Sequence, residues 1–144
     1  MLKDLLHIGI GVYDLKKSVW FYTKVMNMEE EYQTHNKGKK ISQIVGIENA
    51  EIDVCVVKKN EIRIELLDYK NNGGKKYRKE IQQDELGLIH LAFLVDDVDE
   101  EYERIKGLGF EFNSPPMIAR ENGPKITYFQ GPDNVTIEIF QKMN

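Results

Sequence analysis

The feature that most constrains the fold of this chain is an internal repeat. Residues 5–15 read LLHIGIGVYDL and residues 88–98 read LIHLAFLVDDV, so that histidine falls on histidine and aspartate on aspartate. A second match follows in the same order, between IRIELL and VTIEIF, and it places Glu65 on Glu138. Chance easily produces one such match but not two in the same order, so we expect two copies of one supersecondary unit.

Each copy shows the same succession of elements, namely one strand, one helix and three further strands. Alternating apolar residues predict the strands, and apolar residues spaced by three or four predict the helices. An aspartate precedes each helix and suits the N-cap position, because its carboxylate accepts hydrogen bonds from the first helical N–H groups. The predicted strands are 5–12, 28–34, 51–58, 61–69, 88–95, 110–113, 125–130 and 134–141, and the predicted helices are 15–26 and 98–107.

The repeat predicts an α+β fold of two tandem βαβββ modules within a single domain. One domain is the expected number for a chain of 144 residues. Module 1 covers about 3–69 and module 2 covers about 88–142. A polar segment, 70–87, joins the modules and is either a linker or a flap over a site.

Composition limits the classes of partner. The chain is 41% hydrophobic and 31% charged, which is typical of a globular protein. A net charge of −4 disfavours nucleic-acid binding, and no apolar run approaches the roughly 20 residues of a membrane span. The single cysteine, Cys55, excludes an internal disulfide and is typical of a cytoplasmic protein. We therefore expect a cytoplasmic location, with neither nucleic acid nor membrane as a partner.

The repeated histidines fall on one face of their strands. Side chains alternate across a strand, so His7 shares a face with Gly9 and Gly11, and His90 shares a face with Ala92. The opposite face of each strand is rich in branched aliphatic residues and suits packing beneath a helix. Small residues beside a histidine leave room instead of filling it, which is typical of a cavity wall.

The repeated glutamates also lie opposite the aliphatic faces of their strands. Two imidazoles and two carboxylates form a donor set for one divalent ion, and Ni, Co, Zn, Mn and Fe all suit it. The absence of thiolate ligands argues against a closed structural zinc site. The predicted metal ligands are His7, Glu65, His90 and Glu138.

Other chemistry-bearing residues are interpreted singly. His35 lies in a polar stretch and is expected at the surface, whereas Cys55 lies in an apolar strand and is expected to be buried and inert. Tyr128 aligns with Cys55 under the repeat and is predicted to line the cavity. Arg63 shares a face with Glu65, where it binds either a substrate oxygen or a neighbouring carboxylate.

With these motifs, the chain resembles the vicinal-oxygen-chelate superfamily, which includes glyoxalase I, methylmalonyl-CoA epimerase, extradiol dioxygenases and fosfomycin- or bleomycin-resistance proteins. The resemblance covers 3–142. It implies paired βαβββ modules that form a cupped mixed sheet around a metal ion held by the four predicted ligands, and a homodimer. The motifs that carry it are HIGIGVYDLKKSVWFYTKVMNM, IRIELLDY, IHLAFLVDDVDEEYERIKGLGFEF and YFQGPDNVTIEIF.

Subfamily features point in two directions. The motif FYTKVMNM and the run from Arg120 to Pro124 are similar to bacterial glyoxalase I, whereas HIGIGV followed by IELLDY is closer to the epimerase. At the two positions where glyoxalase I carries an Arg and an Asn for glutathione, this chain has Gly11 and Tyr69. Extradiol dioxygenases and fosfomycin-resistance enzymes lack the fourth metal ligand, which is Glu65 here.

The resemblance implies a divalent-metal-dependent lyase or isomerase that abstracts a proton next to a carbonyl through an enediolate. Glu138 is the expected base and Glu65 the symmetry-related second base, with Glu48 or Glu51 as alternative acids. Two other functions remain open, an iron-dependent extradiol-type dioxygenase and a metal-free small-molecule-binding or resistance protein on the same fold. The expected substrate-binding residues are Arg63, Tyr128 and Arg120.

Overall fold

The computed structural model describes residues 1–70 and 81–143, and the chain divides into two compact units, Met1–Tyr77 and Arg78–Asn144. Each unit contains one four-stranded mixed sheet with helices, so the predicted α+β class is confirmed. Part of the predicted connecting segment, 71–80, lies outside the described residues. Among the described residues, no helix combines the length and the apolar character needed to cross a membrane.

The two units contain eight strands and three α-helices in the described residues. The first unit contains β1 (Ile8–Gly11), α1 (Leu15–Trp20) continued by a π-helical turn (Phe21–Val25), β2 (Glu29–Lys37), α2 (Lys39–Val45), β3 (Glu51–Lys59) and β4 (Ile62–Tyr69). The second contains β5 (Leu91–Leu94), α3 (Val98–Gly107), β6 (Met117–Ile118), β7 (Lys125–Gln130), a 3-10 turn (Pro132–Asn134) and β8 (Thr136–Gln141).

The two sheets have the same topology. The strand order is β1-β4-β3-β2 in the first sheet and β5-β8-β7-β6 in the second. In each sheet the first strand runs parallel to the last, and the other neighbours are antiparallel. Identical order and direction confirm that the repeat in the sequence is a repeat of structure.

Aspartates begin the helix of each unit, as the sequence predicts. The side chain of Asp14 accepts a hydrogen bond from the backbone N–H of Lys17 at 3.1 Å. The side chain of Asp97 accepts from the N–H groups of Asp99 and Glu100 at 2.9 and 3.1 Å. These bonds satisfy N–H groups that have no partner within the helix, which fixes where each helix begins.

Each sheet buries one aliphatic face beneath the helix of its own unit. In the first unit, α1 packs on β3 and β4, and its π-helical turn contacts β2. Phe21, Val25 and Leu66 are buried. In the second unit, α3 packs on β7 and β8, and Ile105 and Ile137 are fully buried. The opposite faces, which carry the glutamates, are therefore left for other contacts.

Four elements differ from the prediction. Strand β1 begins at Ile8 and β5 at Leu91, so both histidines lie just before their strands. Helix α2 was not predicted, because seven residues between two glycines are too few to show a helical period. The predicted strand 110–113 makes only an isolated bridge from Phe112, since the two prolines that follow cannot extend a ladder, and the strand at this edge is β6.

Candidate metal centre

The first histidine–glutamate pair forms within the first unit. His7 directly precedes β1, and Glu65 lies in β4, which runs parallel to β1. Gly9 is the register neighbour of Glu65, so no side chain from that position competes for the space beside the carboxylate. His7 Nε2 lies 3.1 Å from Glu65 Oε2, and both side chains are partly exposed.

The second pair forms at the equivalent place in the second unit. His90 directly precedes β5, and Glu138 lies in β8 with Ala92 as its register neighbour. His90 Nε2 lies 3.1 Å from Glu138 Oε2, the same separation as in the first unit. The side chain of Glu138 is more deeply buried than that of Glu65, with exposed fractions of 9% and 23%.

The geometry of each pair fits a shared divalent ion. Nitrogen and oxygen ligands that each lie about 2.1 Å from a metal, at right angles, are separated by about 3.0 Å. The observed separation of 3.1 Å in both pairs agrees with that value. Imidazole nitrogen and carboxylate oxygen are also the donors that borderline divalent ions prefer.

Gln83 fixes the orientation of one imidazole. His90 Nδ1 lies 2.9 Å from Gln83 Oε1, an amide oxygen that only accepts hydrogen bonds, so Nδ1 carries the hydrogen. Nε2, the other ring nitrogen, faces Glu138 Oε2 at 3.1 Å. A cation shared by these two atoms, either a proton or a metal ion, fits this separation. Gln83 belongs to the segment predicted as linker or flap, and sequence reasoning did not identify it.

Tyr128 lies beside Glu138, on the face where the sequence places it. It is the register partner of Glu138 across β7 and β8, and its ring meets that of His90 edge-on at 5.4 Å between centroids. Burial raises the pKa of Tyr128, and the negative charge of the Glu138 carboxylate raises it further. The repeat alignment of Tyr128 with Cys55 is wrong by one residue, because the residue opposite Glu65 is Val56.

For the other predicted site residues, the contacts described are with groups outside the two histidine–glutamate pairs. The Arg63 guanidinium forms a two-pronged ion pair with Glu31, with N–O distances of 2.8 and 2.9 Å, so a substrate anion would have to compete with that carboxylate. Arg120 is exposed on a turn that is closed by its carbonyl oxygen and the N–H of Gly123. Glu51 Oε2 binds Lys37 Nζ at 2.9 Å.

The remaining histidine and the cysteine lie on the helix-covered face of the first sheet. His35 Nδ1 lies 2.6 Å from Asp53 Oδ1, and its side chain is half exposed, as expected for a surface residue. Cys55 is fully buried, and burial raises the pKa of its thiol to about 11. A thiol with that pKa is a poor nucleophile near neutral pH, which agrees with the interpretation of Cys55 as inert.

The structure thus brings the four predicted ligands together two by two. In residues 1–70 and 81–143, no group of three or more His, Cys, Asp or Glu side chains is placed to hold a metal ion. Each unit supplies one histidine and one glutamate in matching geometry. A single centre built from all four side chains stays a prediction.

Comparison with known proteins places these features in a family. The model of the Glyoxalase/Bleomycin resistance protein/Dioxygenase superfamily matches residues 4–139. The chain therefore belongs to this superfamily, which confirms the resemblance found in its motifs.

Two curated relatives align over nearly the whole chain. Lactoylglutathione lyase of Escherichia coli O157:H7 is 30% identical, and the alignment covers 96% of this chain and 92% of that protein. The fosfomycin resistance protein FosX of Listeria monocytogenes is 26% identical, with coverage of 96% and 90%.

Solved structures agree with the fold. A glyoxalase family protein from Bacillus cereus superposes with a TM-score of 0.89 at 18% identity, over 100% of this chain and 97% of that one. A FosX variant with Mn(II) and dihydroxypropylphosphonic acid superposes with a TM-score of 0.63 at 25% identity, over 96% of this chain and 90% of that one.

Proposed function

We propose that this protein is a divalent-metal-dependent lyase or isomerase of the glyoxalase and methylmalonyl-CoA epimerase type. The observation that carries the proposal is the duplicated pair, in which imidazole Nε2 and carboxylate Oε2 lie 3.1 Å apart at the same place in both units. In this proposal His7, Glu65, His90 and Glu138 together hold one ion. Ni, Co, Zn, Mn and Fe all suit the donors, and the manganese in the FosX structure supports a divalent ion in this family.

The residues of each pair suggest how the reaction proceeds. A bound divalent ion would polarise the substrate carbonyl and make the neighbouring C–H group more acidic. Glu138 accepts that proton on a carboxylate oxygen and returns it to the adjacent carbon or to the opposite face, and Glu65 is the second carboxylate able to do so. Tyr128 lies opposite Glu138 on the neighbouring strand, and His90 Nε2 lies 3.1 Å from its carboxylate, so both residues would position Glu138 in this proposal.

The substrate in this proposal carries an adjacent pair of oxygens and a thioester or thiol adduct. Gly11 and Tyr69 replace the glutathione-binding residues of glyoxalase I, which favours a thiol other than glutathione. Arg63 is engaged by Glu31, so Tyr128 is the better supported of the expected substrate-binding residues. Extradiol dioxygenases bind their metal ion through three protein ligands. A fourth protein ligand, Glu65, therefore counts against that function here.

We further propose that the protein is a homodimer. The edge strands are β1 and β2 in the first sheet and β5 and β6 in the second, and pairing between copies is a common way to cover such edges. Light scattering at micromolar concentration should give about twice the chain mass of 16.8 kDa. A mass near that of one chain would contradict the dimer without affecting the metal proposal.

Metal content tests the central part of the proposal. Protein loaded with Mn, Ni or Zn, and then dialysed, should retain one ion per chain by elemental analysis. His7→Ala and His90→Ala should each lose most of it. His35→Ala is the matched control, because His35 is the third histidine of the chain and belongs to neither pair. Full metal in both ligand variants, or equal loss in the control, would refute the proposed centre.

Activity is then tested on the metal-loaded protein. Methylglyoxal–thiol adducts, acyl-CoA thioesters and catechols form a panel that separates lyase, epimerase and dioxygenase. Turnover of either of the first two classes, lost in His90→Ala, supports the proposal. Turnover of catechols alone, with consumption of oxygen, would replace it with the dioxygenase alternative.

A further inference from the structure

A cavity lies in the first unit, lined by its helical segment and by its sheet. Its volume is about 910 Å³, within the range of about 300–1,000 Å³ that is usual for small-molecule sites. Lys16, Trp20 and Lys24 line it from the helical side, and His35, Asp53 and Lys70 line it from the sheet. None of the metal-ligand candidates lines it.

This cavity opens on the face of the sheet opposite to Glu65. In the β3–β4 ladder, Val56 is the partner of Glu65, and Asp53 is the partner of Asp68. Because side chains alternate along a strand, Val56 and Asp53 point to opposite faces. The cavity is therefore separate from the proposed metal centre.

The helical wall presents an aromatic ring flanked by two cations. Lys16 lies four residues before Trp20 in α1, where four residues rise by about 6 Å, and Lys24 lies four residues after it, in the π-helical turn. Among the residues that the structure describes, neither lysine forms an ion pair. Trp20 is 47% exposed, although a tryptophan ring is large and apolar. The ring and both ammonium groups are thus available to a ligand in the cavity.

The carboxylates of the cavity are engaged with protein groups. Lys70 Nζ lies 2.6 Å from Asp68 Oδ2 and 2.9 Å from Asp53 Oδ2, and His35 binds the other oxygen of Asp53. Asp14 caps α1 through the N–H of Lys17. These three carboxylates have protein groups as partners, whereas the ammonium groups of Lys16 and Lys24 have no acidic partner among the described residues.

We propose that this cavity binds a nucleoside monophosphate or a similar planar ring that carries a phosphate. The base stacks on Trp20, and the phosphate, about one helical turn away, pairs with Lys16 or Lys24. Stacking on an exposed aromatic ring tolerates any base, whereas the two lysines select for the anionic group. The site does not depend on the proposed enzymatic function, since it lies on the other face of the sheet.

Intrinsic fluorescence offers a direct test, because Trp20 is the only tryptophan in the chain. The protein is titrated in EDTA with AMP, adenosine and ribose 5-phosphate. AMP should change the emission saturably at millimolar concentration or below, and the two fragments should bind at least about tenfold more weakly. AMP binding should also weaken as salt is raised, because salt screens the lysine charges. No saturable change with AMP, or equal binding of adenosine and AMP, would overturn the proposal.

Variants assign the contacts. Lys16→Ala and Lys24→Ala should each weaken AMP binding by about three- to tenfold, as expected for partly exposed charge pairs. Lys17→Ala is the matched control, because Lys17 lies on the same helix and does not line the cavity. Trp20→Phe is measured by equilibrium dialysis, since it removes the fluorescence signal, and should retain weaker binding. Equal effects of Lys16→Ala and Lys17→Ala would place AMP elsewhere and refute the site.

Discussion

Tyr128 is the cross-strand partner of Glu138, whereas the residue opposite Glu65 is Val56. The two halves of the duplicated site are therefore chemically unequal. One glutamate is buried opposite a phenol, and the other is more exposed opposite an aliphatic side chain. Unequal halves suit a reaction in which the two carboxylates have different tasks.

Substitution of each glutamate by glutamine separates these tasks. Gln keeps an oxygen donor of the same reach but accepts no proton near neutral pH. If Glu138 is the base, Glu138→Gln should reduce turnover by about 10²–10⁴ in protein that is saturated with metal. Glu65→Gln should be milder, because it changes mainly metal affinity. Steady-state kinetics with parallel elemental analysis measures both effects.

The opposite ranking would be informative. A Glu65→Gln variant without activity beside an active Glu138→Gln variant would exchange the two roles, in agreement with the greater exposure of Glu65. Activity in both variants would exclude proton abstraction by either glutamate. Glu48 and Glu51 would then be the next acids to replace.

Gln83 should matter for metal binding although it is not a ligand. Its amide oxygen fixes the tautomer of His90, and loss of such a partner typically weakens metal affinity by about 10- to 100-fold. We expect Gln83→Ala to show this loss in a competition titration with a chelator. Gln82→Ala changes the adjacent glutamine and should keep the affinity of the unmodified protein. Equal affinities of the two variants would show that Gln83 does not orient the imidazole.

The Asp53 cluster should make stability depend on pH in acid. Hydrogen bonds from His35 and Lys70 lower the pKa of Asp53 from its ordinary value of 3.8. A lowered carboxyl pKa stabilises the folded state above the ordinary value, and this contribution disappears as pH falls through the lowered pKa. Asp53→Asn should therefore reduce the free energy of unfolding at pH 5.5 by about 1 kcal/mol or less, because the groups are partly exposed.

Denaturant titrations at two pH values measure this difference. The two proteins should converge as the pH falls through the lowered pKa of Asp53, because the wild-type carboxyl is then also protonated. Asp96→Asn, at an exposed aspartate, provides the comparison for a change of charge alone. A difference that persists unchanged in acid would contradict a role for the ionised Asp53 carboxylate.

Cys55 should report unfolding. At pH 8, a thiol with a pKa of about 11 is ionised in about one molecule in a thousand, and this side chain is also fully buried. A disulfide reagent such as DTNB should therefore react with it slowly in the native protein and within seconds in concentrated guanidinium chloride. Rapid reaction without denaturant would show that the core around β3 opens readily.

The repeat in the sequence predicts most of what defines the site. Strong apolar alternation identifies β3, β4, β7 and β8, and equal spacing identifies the two histidine–glutamate pairs. The alignment of the two copies fails where they differ in length. The connection from Val56 to Glu65 is one residue shorter than that from Tyr128 to Glu138, so a constant alignment assigns Tyr128 the wrong counterpart.

Contacts between distant parts of the chain explain the other differences. Gln83 carries no pattern of its own, because a single amide beside an imidazole depends on the path of an irregular segment. His35 has no partner under the repeat, and only the register of β2 with β3 places it next to Asp53. The ion pair of Arg63 with Glu31 likewise joins residues from different strands.

Helix α2 of the first unit has no counterpart in residues 81–143 of the second. Its residues Ile41 and Val45 pack on Ile52 and Val54, at one end of the sheet face that carries Glu65. Side chains of α2 fill the space at that end of the sheet face. A molecule bound at Glu65 would therefore have to extend away from α2. In the proposed function, a change in the size of Ile41 or Val45 would therefore alter the length of the ligand that fits beside Glu65, without changing the proposed metal ligands.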